Sequence, residues 1–263
     1  MGITKYFEIG KLTFFNSFVY IIDFLATSIF IAVIIFILTN LWKVVFSGST
    51  GVIEGFTIGM MIWYLVMTES LVISPGRVVE EIGDEIQSGD IAQYLNKPYN
   101  YFMFKYASNM GSTLIKFLLT FVIGGIVALI FVGTLEFNLI YLPIILILVF
   151  LALTLNFLIM GLLGIFALWL EDSKGIYFVY TKIVFVIGGM LLPLDLFPTG
   201  LAKISKLLPF SYIAYHPAKT FVMFSWQQAI NTIIGQIIWI IIFLLILALF
   251  YKIIIRKICI NGG

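Results

Sequence analysis

The sequence predicts an all-α membrane protein with six transmembrane helices. Of the 263 residues, 62% are hydrophobic and only 11% are charged. Soluble domains carry about 25% charged residues, and a soluble core could not bury this much apolar surface. Several apolar runs also approach the roughly 20 residues that a helix needs to cross a bilayer. The short alternating strands of a β-barrel do not occur, so one helical bundle over 1–263 is the expected architecture.

Six apolar runs define the predicted spans. They cover residues 21–41, 56–73, 114–135, 142–170, 176–194 and 230–254. An even number of spans puts both termini on the same side of the membrane. Ten basic residues fall on that side: Lys5, Lys11, Arg77, Lys97, Lys105, Lys174, Lys182, Lys252, Arg256 and Lys257. Four fall on the other side and Lys116 lies at a boundary, so the positive-inside rule predicts that both termini are cytoplasmic.

The segment 1–20 is predicted to form a helix along the inner face of the membrane. Charged residues alternate there with phenylalanines, which is typical of an interfacial helix. The alternative is a cytoplasmic extension of the first span. Gly10 and the pair Asn16 and Ser17 disfavour one long continuous helix, so the interfacial interpretation is preferred.

The loop 77–106 between the second and third spans is the most polar stretch of the chain. Apolar residues such as Ile82 and Ile86 recur there at helical spacing among carboxylates, which predicts an amphipathic cytoplasmic helix. Ser88 and Gly89 are expected to end this helix.

A second, shorter helix is predicted to begin at Asp90. Ile91, Tyr94 and Leu95 give it an apolar face. A lone loop in water has little reason to carry such a face. Either the protein's own bundle or a partner protein is expected to cover it.

The loop 193–219 before the last span is too apolar for a solvated loop and too interrupted for a spanning helix. Its prolines and intervening aromatic residues are Pro193, Phe197, Pro198, Pro209, Phe210 and Pro217. Proline breaks helices, and interrupted backbone is tolerated at membrane depth only where protein shields it. We therefore expect short helical pieces that dip into the outer leaflet.

Both loops resemble those of ABC-2 type transporter permeases, the short six-span kind that works with a separate ATPase subunit. The similarity rests on the string from Glu85 to Leu95 with Pro98, and on the string from Leu192 through Phe197 to Pro217. In that family the first string forms a coupling helix that contacts the ATPase. The resemblance therefore implies that Ser88, Gly89, Asp90, Ile91, Tyr94 and Leu95 form the ATPase-coupling surface. It also implies extracellular re-entrant helices in 193–219.

The resemblance further implies a function and partners. The chain would be the permease of an ATP-driven exporter in the plasma or inner membrane, moving a lipid, drug or hydrophobic peptide out of the cell. A cytosolic ATPase subunit would bind ATP and Mg²⁺, and a second permease, identical or paralogous, would complete the route. No nucleic-acid partner is expected.

The sequence offers little material for chemistry within the chain itself. It contains no phosphate-binding loop motif, one histidine (His216) and one cysteine (Cys259), so neither an ATP site, a metal site nor a catalytic centre is expected. Glu69 is the most suggestive carboxylate inside a span. It could pair with Arg77, line a cavity, or simply mark the membrane boundary.

Two other classes of function stay open on the sequence alone. A membrane scaffold or assembly factor would share the span count but would need no ATPase. A membrane enzyme acting on lipid would need clustered polar residues at one membrane face, and the scarcity of His and Cys disfavours it.

Overall fold

The computed structural model describes residues 4–48, 51–95, 97–166 and 173–261, and almost all of them are helical. The helices are α1 (Thr4–Asn16), α2 (Ile21–Ser47), α3 (Ile58–Ile73), α4 (Val78–Gln87), α5 (Ile91–Leu95), α6 (Tyr101–Val132), α7 (Leu142–Ile165), α8 (Ser173–Val186), α9 (Thr199–Leu207), α10 (Pro209–Ile213), α11 (Tyr215–Val222) and α12 (Trp226–Asn261). Turns of 3-10 helix lie at Ser17–Tyr20, Leu139–Tyr141 and Leu194–Leu196. Val52–Ile53 pairs with Phe56–Thr57 in a small antiparallel hairpin.

In the described part of the chain, five helical stretches are long and apolar enough to cross a membrane. They are Phe24–Ser47, Ile58–Gln87, Tyr101–Val132, Leu139–Ile165 and Trp226–Tyr251. The second stretch contains α3, α4 and the turn between them. These five correspond to five of the six predicted spans, so the helical membrane bundle is confirmed.

The predicted span 176–194 corresponds to α8, of which the structure describes 14 residues, Ser173–Val186. A helix of that length is about 21 Å long, short of the roughly 30 Å of the hydrocarbon core. The last residues of the predicted fourth span, 167–170, lie outside the described residues. The count of six spans therefore stays a prediction.

Helix α6 begins well before the apolar run that predicted it. It starts at Tyr101 instead of residue 114, because the side chain of Asn100 caps it by accepting a hydrogen bond from the amide of Met103 at 3.1 Å. The apolar run corresponds only to the part of the helix that lies within the hydrocarbon of a membrane, and the helix itself can extend beyond it. The end of the predicted loop 77–106 is consequently the polar first turn of a long helix.

Helix α1 packs alongside the first turns of α6. Gly10 and Gly111 have no side chain between them, so the two backbones approach closely. The ammonium of Lys5 also donates to the carbonyl of Pro98 at 2.7 Å. The turn Ser17–Tyr20 separates α1 from α2, so the two do not form a continuous α-helix. That α1 lies in the membrane interface stays a prediction.

Helix α3 forms the centre of the bundle. Every residue from Met61 to Leu71 is buried, and α2, α6, α7 and α11 contact it. A helix that is apolar on all sides gains most when other helices surround it completely. The short helices of the two candidate loops pack against α3 and α7: α4 contacts α7, and α11 contacts both.

The two loops lie at opposite ends of α7. Near the C-terminal end of α7, Gly164 lets α4 pack closely through Ile82. The loop 193–219 lies near the first half of α7. There the side-chain amide of Gln236 in α12 donates to the carbonyl of Leu148 in α7 at 3.0 Å and to that of Tyr212 in the loop at 3.1 Å. Gly164 packs within the chain.

The close contact between α4 and α7 can be tested with two alanine substitutions. A β-carbon at Gly164 would lie 2.8 Å from Ile82 Cβ, whereas at Gly161 the nearest atom, in Phe102, is 3.9 Å away. We expect Gly164→Ala to lower the free energy of unfolding by about 1–3 kcal/mol, because α4 must shift. Gly161→Ala should leave it unchanged or raise it by up to about 1 kcal/mol. Thermal unfolding in detergent, followed by tryptophan fluorescence, measures both, and equal effects would contradict this packing.

Candidate functional site

The loop 77–106 presents a polar corner between α4 and α5. Ser88, Gly89 and Asp90 are all exposed. The hydroxyl of Ser88 donates to Asp90 Oδ2 at 2.9 Å and accepts a hydrogen bond from the amide of Asp90 at 3.3 Å. Gly89 has a φ of +81°, a conformation that side-chain-bearing residues rarely adopt. The corner therefore has a defined shape that depends on this glycine.

Two residues of the apolar face of α5, Ile91 and Tyr94, pack against the protein's own bundle. Ile91 is only 1% exposed, and the half-buried ring of Tyr94 packs against the rings of Tyr101 and Phe104. The side chain of Leu95 lies outside the described residues. Of the predicted coupling residues, Ser88, Gly89 and Asp90 thus form exposed surface, whereas Ile91 anchors the helix.

Glu85 ties α4 to α6. Its Oε1 accepts a hydrogen bond from the ammonium of Lys105 at 2.6 Å, and its Oε2 accepts one from the hydroxyl of Tyr101 at 2.5 Å. The side chains of Glu85 and Lys105 are only 17% and 12% exposed. A charge-assisted pair shielded in this way holds two helices more firmly than an exposed ion pair does.

The loop 193–219 contains a 3-10 turn and short helices, as its prolines predict. Pro193 is buried before the turn, Pro198 is exposed before α9, Pro209 begins α10, and Pro217 is buried in the first turn of α11. Phe197 packs against the core cluster around α3, and the ring of Phe210 lies 6.2 Å from that of Tyr180. Insertion of these helices into a leaflet stays a prediction.

An ion cluster around Asp195 holds this loop together. The ammonium groups of Lys206 and Lys219 donate to its carboxylate at 2.7 and 2.8 Å, and the hydroxyl of Tyr215 donates at 2.9 Å. Burial alone would raise the pKa of Asp195. The hydrogen bonds from both lysines and from Tyr215 outweigh it and hold that pKa below its usual value.

Asp195 is not among the site residues predicted from the sequence. The partners lie 11, 20 and 24 residues from Asp195 along the chain. No helical or strand spacing connects such positions. Folding of α9 and α11 onto the 3-10 turn is what brings them together.

His216 packs beside this cluster as a half-buried ring. It stacks on Tyr212 with ring centroids 4.3 Å apart, and its Nε2 lies 3.0 Å from the carbonyl oxygen of Lys206. Burial lowers the pKa of His216 from 6.5 to about 4. The positive charges of Lys219 and Lys206 act in the same direction, and the hydrogen bond to the Lys206 carbonyl opposes them.

Glu69 lies inside the bundle and away from its suggested partner. It is 2% exposed in α3, and its Oε2 has no hydrogen-bond partner among the described residues. Arg77 is instead 83% exposed at its side chain and lies 3.7 Å from Glu80. The suggested pairing of Glu69 with Arg77 is therefore not present. A polar site at Glu69 stays a prediction.

Comparison with known proteins identifies the family. The family model described as "ABC-2 family transporter protein" matches residues 29–262, which include both loops. The chain belongs to the ABC-2 transporter family. The comparison with curated proteins gives no significant match.

Membership of the ABC-2 transporter family agrees with a multi-pass membrane bundle and supports a permease role. Membrane subunits of this family are generally not enzymes themselves, and they work with an ATPase. Among the described residues, no three His, Cys, Asp or Glu side chains are grouped as a metal site would require. The two polar features of this ABC-2 chain that its geometry defines best are the exposed corner at Gly89 and the ion cluster at Asp195.

The Asp195 cluster should contribute measurably to stability. Asp195→Asn leaves Lys206 and Lys219 as adjacent unpaired charges. Because the two lysines are partly exposed, we expect a loss of about 2 kcal/mol, between the values for fully exposed and fully buried pairs. The folded pKa of Asp195 is below the ordinary 3.8, so this contribution is complete above about pH 4 and is lost only at lower pH.

Thermal unfolding of the purified protein at pH 7 measures this loss. Asp84→Asn, which changes an exposed carboxylate of α4, is the control. A loss for Asp195→Asn no larger than that for Asp84→Asn would contradict the role of the cluster.

His216 should make the protein less stable in mild acid. Its pKa is about 4 when folded and 6.5 in the ordinary state, so the unfolded chain binds more protons between these values. The free energy of unfolding should therefore fall as the pH drops from 7 to 5, by roughly 1–2 kcal/mol. His216 is the only histidine, and His216→Gln should remove most of this pH dependence. An unchanged pH profile in the variant would show that His216 is not the source.

Proposed function

We propose that this chain is the permease subunit of an ATP-driven ABC exporter that works with a separate cytosolic ATPase. The proposal rests on the exposed corner at Ser88, Gly89 and Asp90, whose shape is defined by local hydrogen bonds and by Gly89. This corner lies at one end of the helical bundle, in a chain that belongs to the ABC-2 transporter family. The turn at Gly89 ends α4 and leaves the polar groups of Ser88 and Asp90 exposed, where a partner protein could contact them.

The corner is connected to the bundle at two points. Glu85 joins α4 to α6 through Lys105 and Tyr101, and Ile82 packs against Gly164 in α7. Closure of a partner ATPase that pushes on the corner would therefore move α6 and α7 together with α4. Rigid-body displacement of packed helices is a common way for such a signal to travel.

The opposite end of α7 suits a gate. The turn after α8, which leads into 193–219, is joined to α3 by hydrogen bonds from Tyr64 to the carbonyl of Gly189 and from Thr68 to that of Met190. Under this proposal both termini are cytoplasmic, α1 lies at the inner interface, and these helices re-enter the outer leaflet of the plasma or inner membrane. ATP and Mg²⁺ bind to the ATPase, and this chain supplies no cofactor site.

A second permease, identical or related, would complete the transport route. Helices α2 and α12 carry long rows of exposed apolar side chains that lipid or a second copy would cover. A wall rich in phenylalanine and tyrosine suits a lipid, an amphipathic drug or a hydrophobic peptide as the exported substrate.

Co-purification tests the proposal. The tagged chain is extracted from its own cell membrane in mild detergent, co-purifying proteins are identified by mass spectrometry, and ATP hydrolysis is measured. We expect a soluble ATPase and ATP hydrolysis. Recovery of the chain alone, without ATP hydrolysis under several extraction conditions, would favour a scaffold instead.

Two glycines provide a matched test of the corner. Gly89 and Gly133 have φ values of +81° and +83°, and no atom lies within 4 Å of a β-carbon at either position. Valine should strain the backbone at Gly89 by about 1–2 kcal/mol. At Gly133 the strain should be at least as large, because its ψ of −166° lies in a region that is essentially restricted to glycine. We expect Gly89→Val to reduce co-purified ATP hydrolysis several-fold and Gly133→Val, at the far end of α6, to leave it unchanged. Equal activity in the two variants would contradict the coupling assignment.

A further inference from the structure

A cavity of about 570 Å³ lies where α1 and its 3-10 turn meet α6 and the start of α4. Its walls combine positive, amide and aromatic side chains. They include Arg77, Lys105, Lys116, Asn109, Phe24 and Phe157. A cavity of this volume can hold a polar headgroup as well as water.

The three basic side chains of this cavity differ in whether a carboxylate forms an ion pair with them. Lys105 is paired with Glu85 at 2.6 Å and with Glu81, which also lines the cavity, at 3.6 Å. Arg77 is paired with Glu80 at 3.7 Å. Lys116 has no carboxylate oxygen within ion-pair distance among the described residues. Its ammonium lies 4.8 Å from the ring of Phe24, so it presents a positive charge to the cavity.

Asn109 offers a hydrogen-bond donor in the same cavity. Its side-chain oxygen accepts a hydrogen bond from the hydroxyl of Thr113 at 3.2 Å. The amide nitrogen therefore remains to donate to a ligand. An ammonium and an amide that converge on one space can recognise a phosphate oxygen.

The surroundings of Lys116 favour a lipid over a free anion. Lys116 lies near the start of the apolar run 114–135, where a lysine meets the headgroup region of a bilayer. Exposed apolar side chains flank the cavity on the same helices. Ile22 and Leu25 are 76% and 39% exposed beside Phe24, and Leu118 is 50% exposed beyond Lys116.

We propose that this cavity binds the headgroup of an anionic phospholipid, with Lys116 pairing the phosphate, Asn109 donating to it, and the acyl chains lying along α2 and α6. The site is separate from the corner at Gly89 and from the ion cluster at Asp195. Binding requires neither an ATPase nor transport.

Native mass spectrometry of the full chain in detergent tests the site. The protein is titrated with phosphatidylglycerol and, separately, with phosphatidylcholine, and apparent dissociation constants are compared. We expect tighter binding of phosphatidylglycerol. Lys116→Gln should weaken it about fivefold, because one basic side chain near an anionic headgroup is lost. Lys116→Arg should retain it.

A second lysine serves as the matched control. Lys182 in α8 is exposed and lies 5.0 Å from the ring of Phe178, but it does not line the cavity. Lys182→Gln should leave phosphatidylglycerol binding unchanged. Asn109→Leu, with the lysine intact, should weaken binding about threefold by removing one hydrogen bond.

Three outcomes would overturn the proposal. The first is equal phosphatidylglycerol affinity in Lys116→Gln, Lys182→Gln and the unaltered chain. The second is equal affinity for phosphatidylcholine and phosphatidylglycerol. The third is displacement of the lipid by millimolar inorganic phosphate, which would assign the cavity to the free ion. None of these results affects the co-purification test, so failure here and failure of the permease proposal are distinguishable.

Discussion

The buried helix α3 donates the hydrogen bonds that position the turn after α8, from which the short helices of 193–219 follow. Backbone carbonyls at membrane depth need partners within the protein, because lipid offers none. After α8 the chain leaves helical geometry, and the hydroxyls of Tyr64 and Thr68 donate to the carbonyls of Gly189 and Met190. Since α3 is surrounded on all sides, these hydroxyls have fixed positions. The ring of Tyr64 also meets that of Tyr215, which connects α3 to the Asp195 cluster.

Partly buried polar contacts tie helices together at both ends of the bundle. Glu85 holds α4 against α6 through Lys105 and Tyr101, and Asp195 gathers the short helices of 193–219. Between these ends, α3 and α7 are packed almost entirely by apolar side chains. Close packing resists gradual deformation, so displaced helices move as units. This arrangement suits the proposed transfer of motion from the corner at Gly89 to the far end of the bundle.

Lysines near the membrane boundary illustrate how environment decides the role of one residue type. Lys105 and Lys206 are held by carboxylates and act as structural ties. Lys182 is exposed over an aromatic ring. Lys116 faces a cavity, and its nearest aromatic partner, Phe24, attracts a cation without neutralising it. Among the described residues, no carboxylate oxygen lies within ion-pair distance of Lys116, so its partly buried charge has the most to gain from an anionic ligand.

The sequence by itself determined the helical membrane class, five of the spans, the amphipathic helix that breaks at Gly89, and the short helices between the prolines of 193–219. These features follow from local composition and periodicity. Only the tertiary structure decided that the bundle covers Ile91, that α6 begins at Tyr101, that Glu69 lies apart from Arg77, and that Asp195 gathers Lys206 and Lys219. Each of these features depends on contacts between residues that are distant in the sequence. Hydropathy and residue spacing describe only local stretches of the chain, so they do not indicate which buried polar groups will form hydrogen bonds with each other.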